Sequence, residues 1–227
     1  MKRFVGCAFL LLILPIAMQA AIVEGFNDIS TLPGSGWVLT NNSSPLGTTN
    51  WFQGNTGVFS AQAGPIDSYI AANFNNAGFG GNVSNWLLTP VFDLTPGNVL
   101  TFYTRTEDLA PFPDSLEVRL STNGSSSFVG STATSVGDFT TLLLSINPSL
   151  TVGGYPEVWT QYTIDLSPFA GTGRLAFRYL VTDTSVNGDY IGIDTVSVAP
   201  VPEPMTLVTL GTGLLGIAAR RFRRNRA

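Results

Sequence analysis

The 227-residue chain has no histidine, one cysteine and one lysine. Each absence removes chemistry. Without histidine there is no Ser–His or Cys–His nucleophile pair, and most zinc sites are excluded. The cysteine, Cys7, and the lysine, Lys2, both sit in the first seven residues. A mature chain trimmed of that leader forms no disulfide, offers no thiolate and cannot build a Ser–Lys dyad. Long stretches of helical periodicity are missing as well.

What is present begins with two apolar ends. Met1-Lys2-Arg3 is a short basic region, Phe4 to Ala17 is apolar, and Pro15 to Ala21 closes in small residues. This order predicts a signal peptide over 1–20, read by the Sec translocon and cut after Ala20 or Ala21. Cys7 precedes the apolar core instead of following it, which argues against lipid modification. At the other end Val201-Pro202-Glu203-Pro204 leads into Met205–Ala219, which carries no charge, and then into Arg220, Arg221, Arg223, Arg224 and Arg226. The prolines make a stiff extended spacer. The uncharged stretch suits a lipid-embedded helix, and the arginines suit a cytoplasmic flank. At ~1.5 Å per residue such a helix spans about 22 Å, short of a ~30 Å hydrocarbon core. Gly211, Gly213 and Gly216 weaken it further and allow close packing on another helix.

This tail resembles the PEP-CTERM sorting signal of Gram-negative bacteria. Pro202, Glu203 and Pro204 match its first element, and Arg220, Arg221, Arg223 and Arg224 match its basic end. The resemblance implies recognition and cleavage by a membrane-embedded exosortase. The expectation is an exported protein, held transiently in the inner membrane through its C-terminal helix, then passed to the cell surface or extracellular matrix.

The segment 21–199 keeps four arginines (Arg105, Arg119, Arg174, Arg178) against fourteen acids, a balance of −10. Such a surface repels nucleic acid and anionic lipid. Its length suits one domain with one core. Alternation of apolar and polar residues predicts strands at Ile22–Phe26, Val58–Ser60, Tyr69–Asn73, Trp86–Leu88, Val99–Thr104, Leu116–Ser121, Thr140–Ile146, Thr160–Leu166, Leu175–Val181 and Tyr190–Val198. Turns such as Thr122-Asn123-Gly124 and Asn187-Gly188 punctuate them. Asn41–Asn50 and Asn73–Asn85 read as long surface loops. The fold class expected is all-β, an antiparallel β-sandwich of jelly-roll type, flanked by the signal peptide and by one hydrophobic helix within 200–227.

Glu24-Gly25-Phe26, Gly36-Trp37, Asn85-Trp86-Leu87-Leu88-Thr89-Pro90, Asp114-Ser115-Leu116-Glu117-Val118 and Ile193-Asp194-Thr195-Val196 follow one another in an order that resembles the choice-of-anchor J domain. That domain is a relative of cleaved-adhesin and MAM-like jelly rolls. The resemblance implies a surface module, often adhesive, without an established catalytic activity. It also implies a structural calcium between an acid of the first strand and one of the last, places held by Glu24 and Asp194. Hard oxygen ligands suit that ion. The alternative is that Asp194 accepts backbone N–H groups or pairs with Arg174 or Arg178.

Other residues have plainer readings. Asp183, Asn187 and Asp189 fail the spacing of an EF-hand loop and read as a solvated turn. The four tryptophans read first as core or loop anchors. Trp51, in a polar stretch between Asn50 and Gln53, is the candidate for a sugar-binding platform. Two carboxylates flanking a groove suffice for glycoside hydrolysis, and Glu107, Asp108 and Glu117 are the acids to consider. The function expected is a non-catalytic surface or exopolysaccharide-matrix protein, structural or adhesive, with exopolysaccharide as a candidate partner. The alternative is a carbohydrate-binding module or a glycoside-acting enzyme.

Overall fold

A computed structural model describes residues 22–94 and 97–200. The expected signal peptide and sorting helix lie outside the described residues. Thirteen strands build the described part: β1 (Ile22–Glu24), β2 (Val38–Asn41), β3 (Ser44–Leu46), β4 (Phe52–Gln53), β5 (Ile70–Asn73), β6 (Ala77–Leu88), β7 (Phe92–Leu94), β8 (Asn98–Thr106), β9 (Leu116–Ser121), β10 (Thr141–Ile146), β11 (Thr160–Asp165), β12 (Gly171–Val181) and β13 (Tyr190–Pro200). They form two antiparallel sheets. One runs β11-β8-β13-β5-β4, with β1 also on β13; the other runs β10-β9-β12-β6-β2, with β3 on β6 and β7 on β12. No helix among the described residues is long and apolar enough to cross a membrane.

The period-two pattern sets which residues meet between the sheets. Leu116, Val118 and Leu120 on β9, and Leu175, Phe177, Tyr179 and Val181 on β12, face Leu100, Phe102, Ile191 and Ile193 of the other sheet in one buried core. At roughly 25 cal/mol per Å² of apolar area removed from water, this layer dominates the stability. The alternate residues point outward, and each sheet has a second cover. In the β9–β12–β6 sheet, Trp86, Leu88 and Ala176 pack under Val129 and Phe139 of the segment between β9 and β10. On the other sheet, Ala71 and Tyr190 pack under Phe59 and Tyr69 of the segment between β4 and β5.

Three expectations need correction. Val58–Ser60 is no strand: its apolar residues cover an outer sheet face and pair with nothing, which an alternation test cannot distinguish. Asn73–Asn85 is not a loop, because β6 begins at Ala77. Its glycines are there because β3 crosses closely; a Cβ at Gly78 would lie 2.9 Å from Pro45 Cγ, and one at Gly81 2.8 Å from Pro45 Cδ. Asn41–Asn50 likewise contains β3, paired to β6 through Ser44 and Leu46.

Asn85 sits on the inward face of β6 between Val83 and Leu87, opposite Tyr179. It is fully buried, and neither amide atom has a hydrogen-bond partner among the described residues. A buried polar group left unpaired costs about 1–3 kcal/mol. Asn85→Leu is therefore expected to raise the melting midpoint by about 4–8 °C, at ~2–4 °C per kcal/mol for a domain of this size. Calorimetry checks this; an unchanged or lower midpoint would show the amide to be satisfied in solution.

Candidate functional site

The two acids expected to share a cation belong to adjacent strands. Glu24 on β1 stands opposite Val196 of β13, two positions from Asp194. Glu24 Oε1 accepts the Phe26 N–H at 2.7 Å. Asp194 is fully buried. Its Oδ2 accepts the N–H groups of Gln62 (2.8 Å) and Ala63 (3.2 Å), and its Oδ1 accepts that of Thr195 (2.6 Å). Burial pushes its pKa up, against those N–H bonds, which favour the anion. Neither arginine considered for it is its partner. Arg174 Nη1 donates to the carbonyls of Gly36 and Thr89, and Arg178 pairs with Glu117. Phe26 and Thr195, beside the two acids, have φ of 51°, and β13 carries a register shift between Asp194 and Ser197. A left-handed β-branched residue is strained by about 1–3 kcal/mol, and such strain concentrates at working sites. Among the described residues no three acids gather as a metal cluster.

Trp51 does not have the place a sugar platform needs. It is 4% exposed, belongs to the inter-sheet core, and its Nε1 has no hydrogen-bond partner among the described residues. The ring offers no free face. The polarity of its neighbours misled: Asn50 and Asn76 serve the local backbone, with Asn50 Oδ1 accepting the Trp51 N–H and Asn76 Nδ2 donating to the Asn50 carbonyl.

The acids considered for hydrolysis do not flank a common groove. Glu117 lies on the outward face of β9 under the β9–β10 segment, where it holds Arg119 at 2.7 Å and Arg178 at 3.1 Å. Burial would raise its pKa, but the bonds and charges of the two arginines outweigh this and lower it. Asp108 pairs with Arg105 at 2.6 Å just past the end of β8, in the other sheet. The Glu107 pKa is raised by desolvation and by Asp189. Asp183 accepts the Ser185 N–H and hydroxyl in an exposed turn, as its spacing implied.

A cavity of about 520 Å³, which no sequence motif marks, opens between residues 41–46, Asn82 and the 131–134 loop. Among the described residues its lining is amides and hydroxyls with Leu46 and Ala133, and no charged side chain. The loop wall is tied to the sheet by Asn42 Nδ2 donating to Gly130 O (2.9 Å) and by Arg178 Nη2 donating to Ala133 O (2.6 Å). Arg178 is itself fixed by Glu117, by Ser84 Oγ and by the Trp86 ring 4.8 Å away. The sequence signal was only a concentration of Asn, Ser and Thr in two separate segments.

Residues 200–224 match the PEP-CTERM protein-sorting motif. No curated protein matches the chain. Among solved structures, the K1 cleaved adhesin domain of Lys-gingipain from Porphyromonas gingivalis W83 is 26% identical, with a TM-score of 0.55 over 80% of this chain and 98% of that one. The K3 cleaved adhesin domain of the same protein is 23% identical, with a TM-score of 0.56 over 81% and 99%. The chain is thus an adhesin-like antiparallel β-sandwich that ends in a PEP-CTERM sorting signal, which implies processing by an exosortase and export to the cell envelope or surface.

Proposed function

We propose that the chain is a non-catalytic surface or exopolysaccharide-matrix protein, in which an adhesive or structural sandwich is delivered by its sorting tail. One observation carries the reading: the sorting motif begins at residue 200, where β13 ends. Ile22 pairs with Val198, so the leader and the tail join the sandwich at one pole. Both addresses can be cut away there without breaking a sheet. The Sec translocon, the exosortase and the inner membrane are the partners this route requires. Mass spectrometry of envelope and secreted fractions tests it. The expected species lacks residues 1–20 and is truncated near Pro202–Pro204, while Glu203→Ala accumulates uncut in the inner membrane. Recovery of the intact 227-residue chain from the cytosol would overturn the proposal.

A structural calcium at Glu24 and Asp194 belongs to the same reading. The donor set fits in part. Asp194 Oδ2 is filled by two N–H groups. Its Oδ1 accepts the Thr195 N–H and keeps a lone pair for an ion when the Thr195 hydroxyl, 3.2 Å away, donates instead to Gln62 Oε1 at 2.9 Å. Glu24 Oε2 has no hydrogen bond among the described residues. The remaining ligands would be neutral oxygens, for which carbonyls and the Asn27 amide near Gly64 are at hand. An ion bound only by the native state stabilises it by ~1.4 kcal/mol at tenfold excess over Kd. Chelation is therefore expected to lower the melting midpoint by about 3–6 °C. A midpoint indifferent to chelator and to added calcium would remove the ion from the proposal.

A further inference from the structure

We propose that the cavity between residues 41–46, Asn82 and the 131–134 loop binds a neutral carbohydrate through its vicinal hydroxyls. This deepens the surface-display reading by naming a ligand class, and it stands on the cavity alone.

Three observations support it. The first is the hydrogen-bonding inventory. Among the described residues, Asn42 Oδ1 is free to accept and Asn82 Nδ2 is free to donate, because Asn42 donates to Gly130 O and Asn82 Oδ1 accepts the Asp183 N–H. The hydroxyls of Ser44 and Ser131 can do either, and that of Thr134, 3.3 Å from Thr132 Oγ1, keeps part of its capacity. A sugar diol presents a donor and an acceptor on each hydroxyl, so a mixed, uncharged lining matches it. An anion would find no cation here, and a cation no carboxylate. Leu46, 66% exposed at the wall, supplies apolar surface for sugar C–H groups.

The second is rigidity. The 131–134 wall is held through Ala133 O by an arginine that is 3% exposed and ion-paired to Glu117. The opposite wall is β3, registered on β6 at Ser44 and Asn82. Walls fixed in advance reduce the ordering cost of binding a small polar ligand.

The third is position. Asn82 contacts the turn between β12 and β13, with Asp183 N–H bonded to Asn82 Oδ1 and Thr184 N–H to Gly81 O. That turn leads into the start of β13, whereas the tail leaves its end. Eleven residues of strand separate the two by roughly 33 Å at ~3.3 Å per residue. The cavity therefore lies at the pole opposite Pro200, where β13 ends.

Titration calorimetry on the full chain in a non-glycosidic detergent tests this, with cellotriose, β-1,4-galactotriose and mannotriose as probes and trigalacturonate as the anionic control. At least one neutral trisaccharide is expected to bind with Kd on the order of 0.1–1 mM. Trigalacturonate is expected to bind at least tenfold more weakly. Ser131→Phe fills the cavity, and Asn82→Asp removes the Nδ2 donor while keeping the Oδ1 that accepts the Asp183 N–H; each is expected to weaken binding at least tenfold with the melting midpoint unchanged. No saturable binding by any neutral probe, binding untouched by Ser131→Phe, or equal affinity for trigalacturonate would each overturn the proposal. Export does not enter the measurement, so its failure would leave the sorting route standing, and the reverse holds.

Discussion

Gly192→Val is expected to lower the melting midpoint by about 6–12 °C. Gly192 lies on the outward face of β13, between Tyr190 and Asp194 in chain order. A Cβ there would lie 2.9 Å from each of Phe59 Cε2, Trp159 Cη2 and Tyr69 Cδ2. Those rings cannot step aside independently. Phe59 stacks on Tyr69 at 5.0 Å and meets Trp159 edge-on at 5.5 Å and Tyr190 at 5.3 Å. Trp159 is pinned by its Nε1 donating to Ser60 O, and the Tyr69 and Tyr190 hydroxyls lie 3.0 Å apart. Overpacking of a rigid site typically costs about 1–3 kcal/mol, and three simultaneous clashes put this case at ~3 kcal/mol or more. A double variant separates overpacking from a general weakness of β13. Phe59→Ala alone loses a buried ring, a cost of about 3–5 kcal/mol. Combined with Gly192→Val it also removes one clash, so the pair should lose clearly less than the sum of the singles. Strict additivity would mean that the valine methyls act elsewhere.

The same cluster marks the limit of what the sequence disclosed. Period-two alternation located β9 and β11 nearly to the residue and β12 from Leu175 to its end, missing its Gly171–Arg174 start, because each has one face in the inter-sheet core and one face that is not. It misread the segments whose apolar residues serve a second layer. Val58 and Phe59 look like strand residues but act as a cover. The first half of β6 looks like a loop because Pro45 of β3 leaves room only for glycine at positions 78 and 81. The order of motifs placed the acids at 24 and 194 on the first and last strands, and β1 does pair with β13, with Glu24 opposite Val196. Trp51 is a core anchor, the first reading of every tryptophan here, and not the platform that its polar neighbours suggested, because Asn50 and Asn76 serve the backbone around a buried ring. The sugar-sized cavity needed the β9–β10 segment to fold back over the sheet. That return is set by Arg178 and Glu117, whose pairing across strands no local pattern reports.

Asp114→Asn is expected to stabilise the protein at pH 7 while leaving it unchanged near pH 4. Asp114 precedes β9 and is fully buried. Tyr179 OH donates to its Oδ1 at 2.6 Å, the Asp189 N–H to the same atom at 2.8 Å, and Thr106 Oγ1 lies 2.6 Å from Oδ2. Desolvation dominates these bonds, and repulsion from Asp189 adds to it, so the pKa is pushed up to about 6 from an ordinary 3.8. The native state therefore binds the proton more tightly than the unfolded chain. Stability falls as pH rises through that window and levels off above it. The loss is about 3 kcal/mol, at ~1.4 kcal/mol per unit. Asparagine mimics the neutral acid. Its Oδ1 keeps Tyr179 and Asp189, while its Nδ2 donates to Thr106 Oγ1, which turns its own proton to Tyr190 O, 2.9 Å away. The stability difference between variant and wild type should then rise from near zero at pH 4 to about 2–3 kcal/mol at pH 7, read from denaturant melts. Glu117, held below its usual range by its arginines, loses stability in the opposite direction as pH falls, and it does so equally in both proteins. A difference that stays flat with pH would show that Asp114 does not titrate in this window.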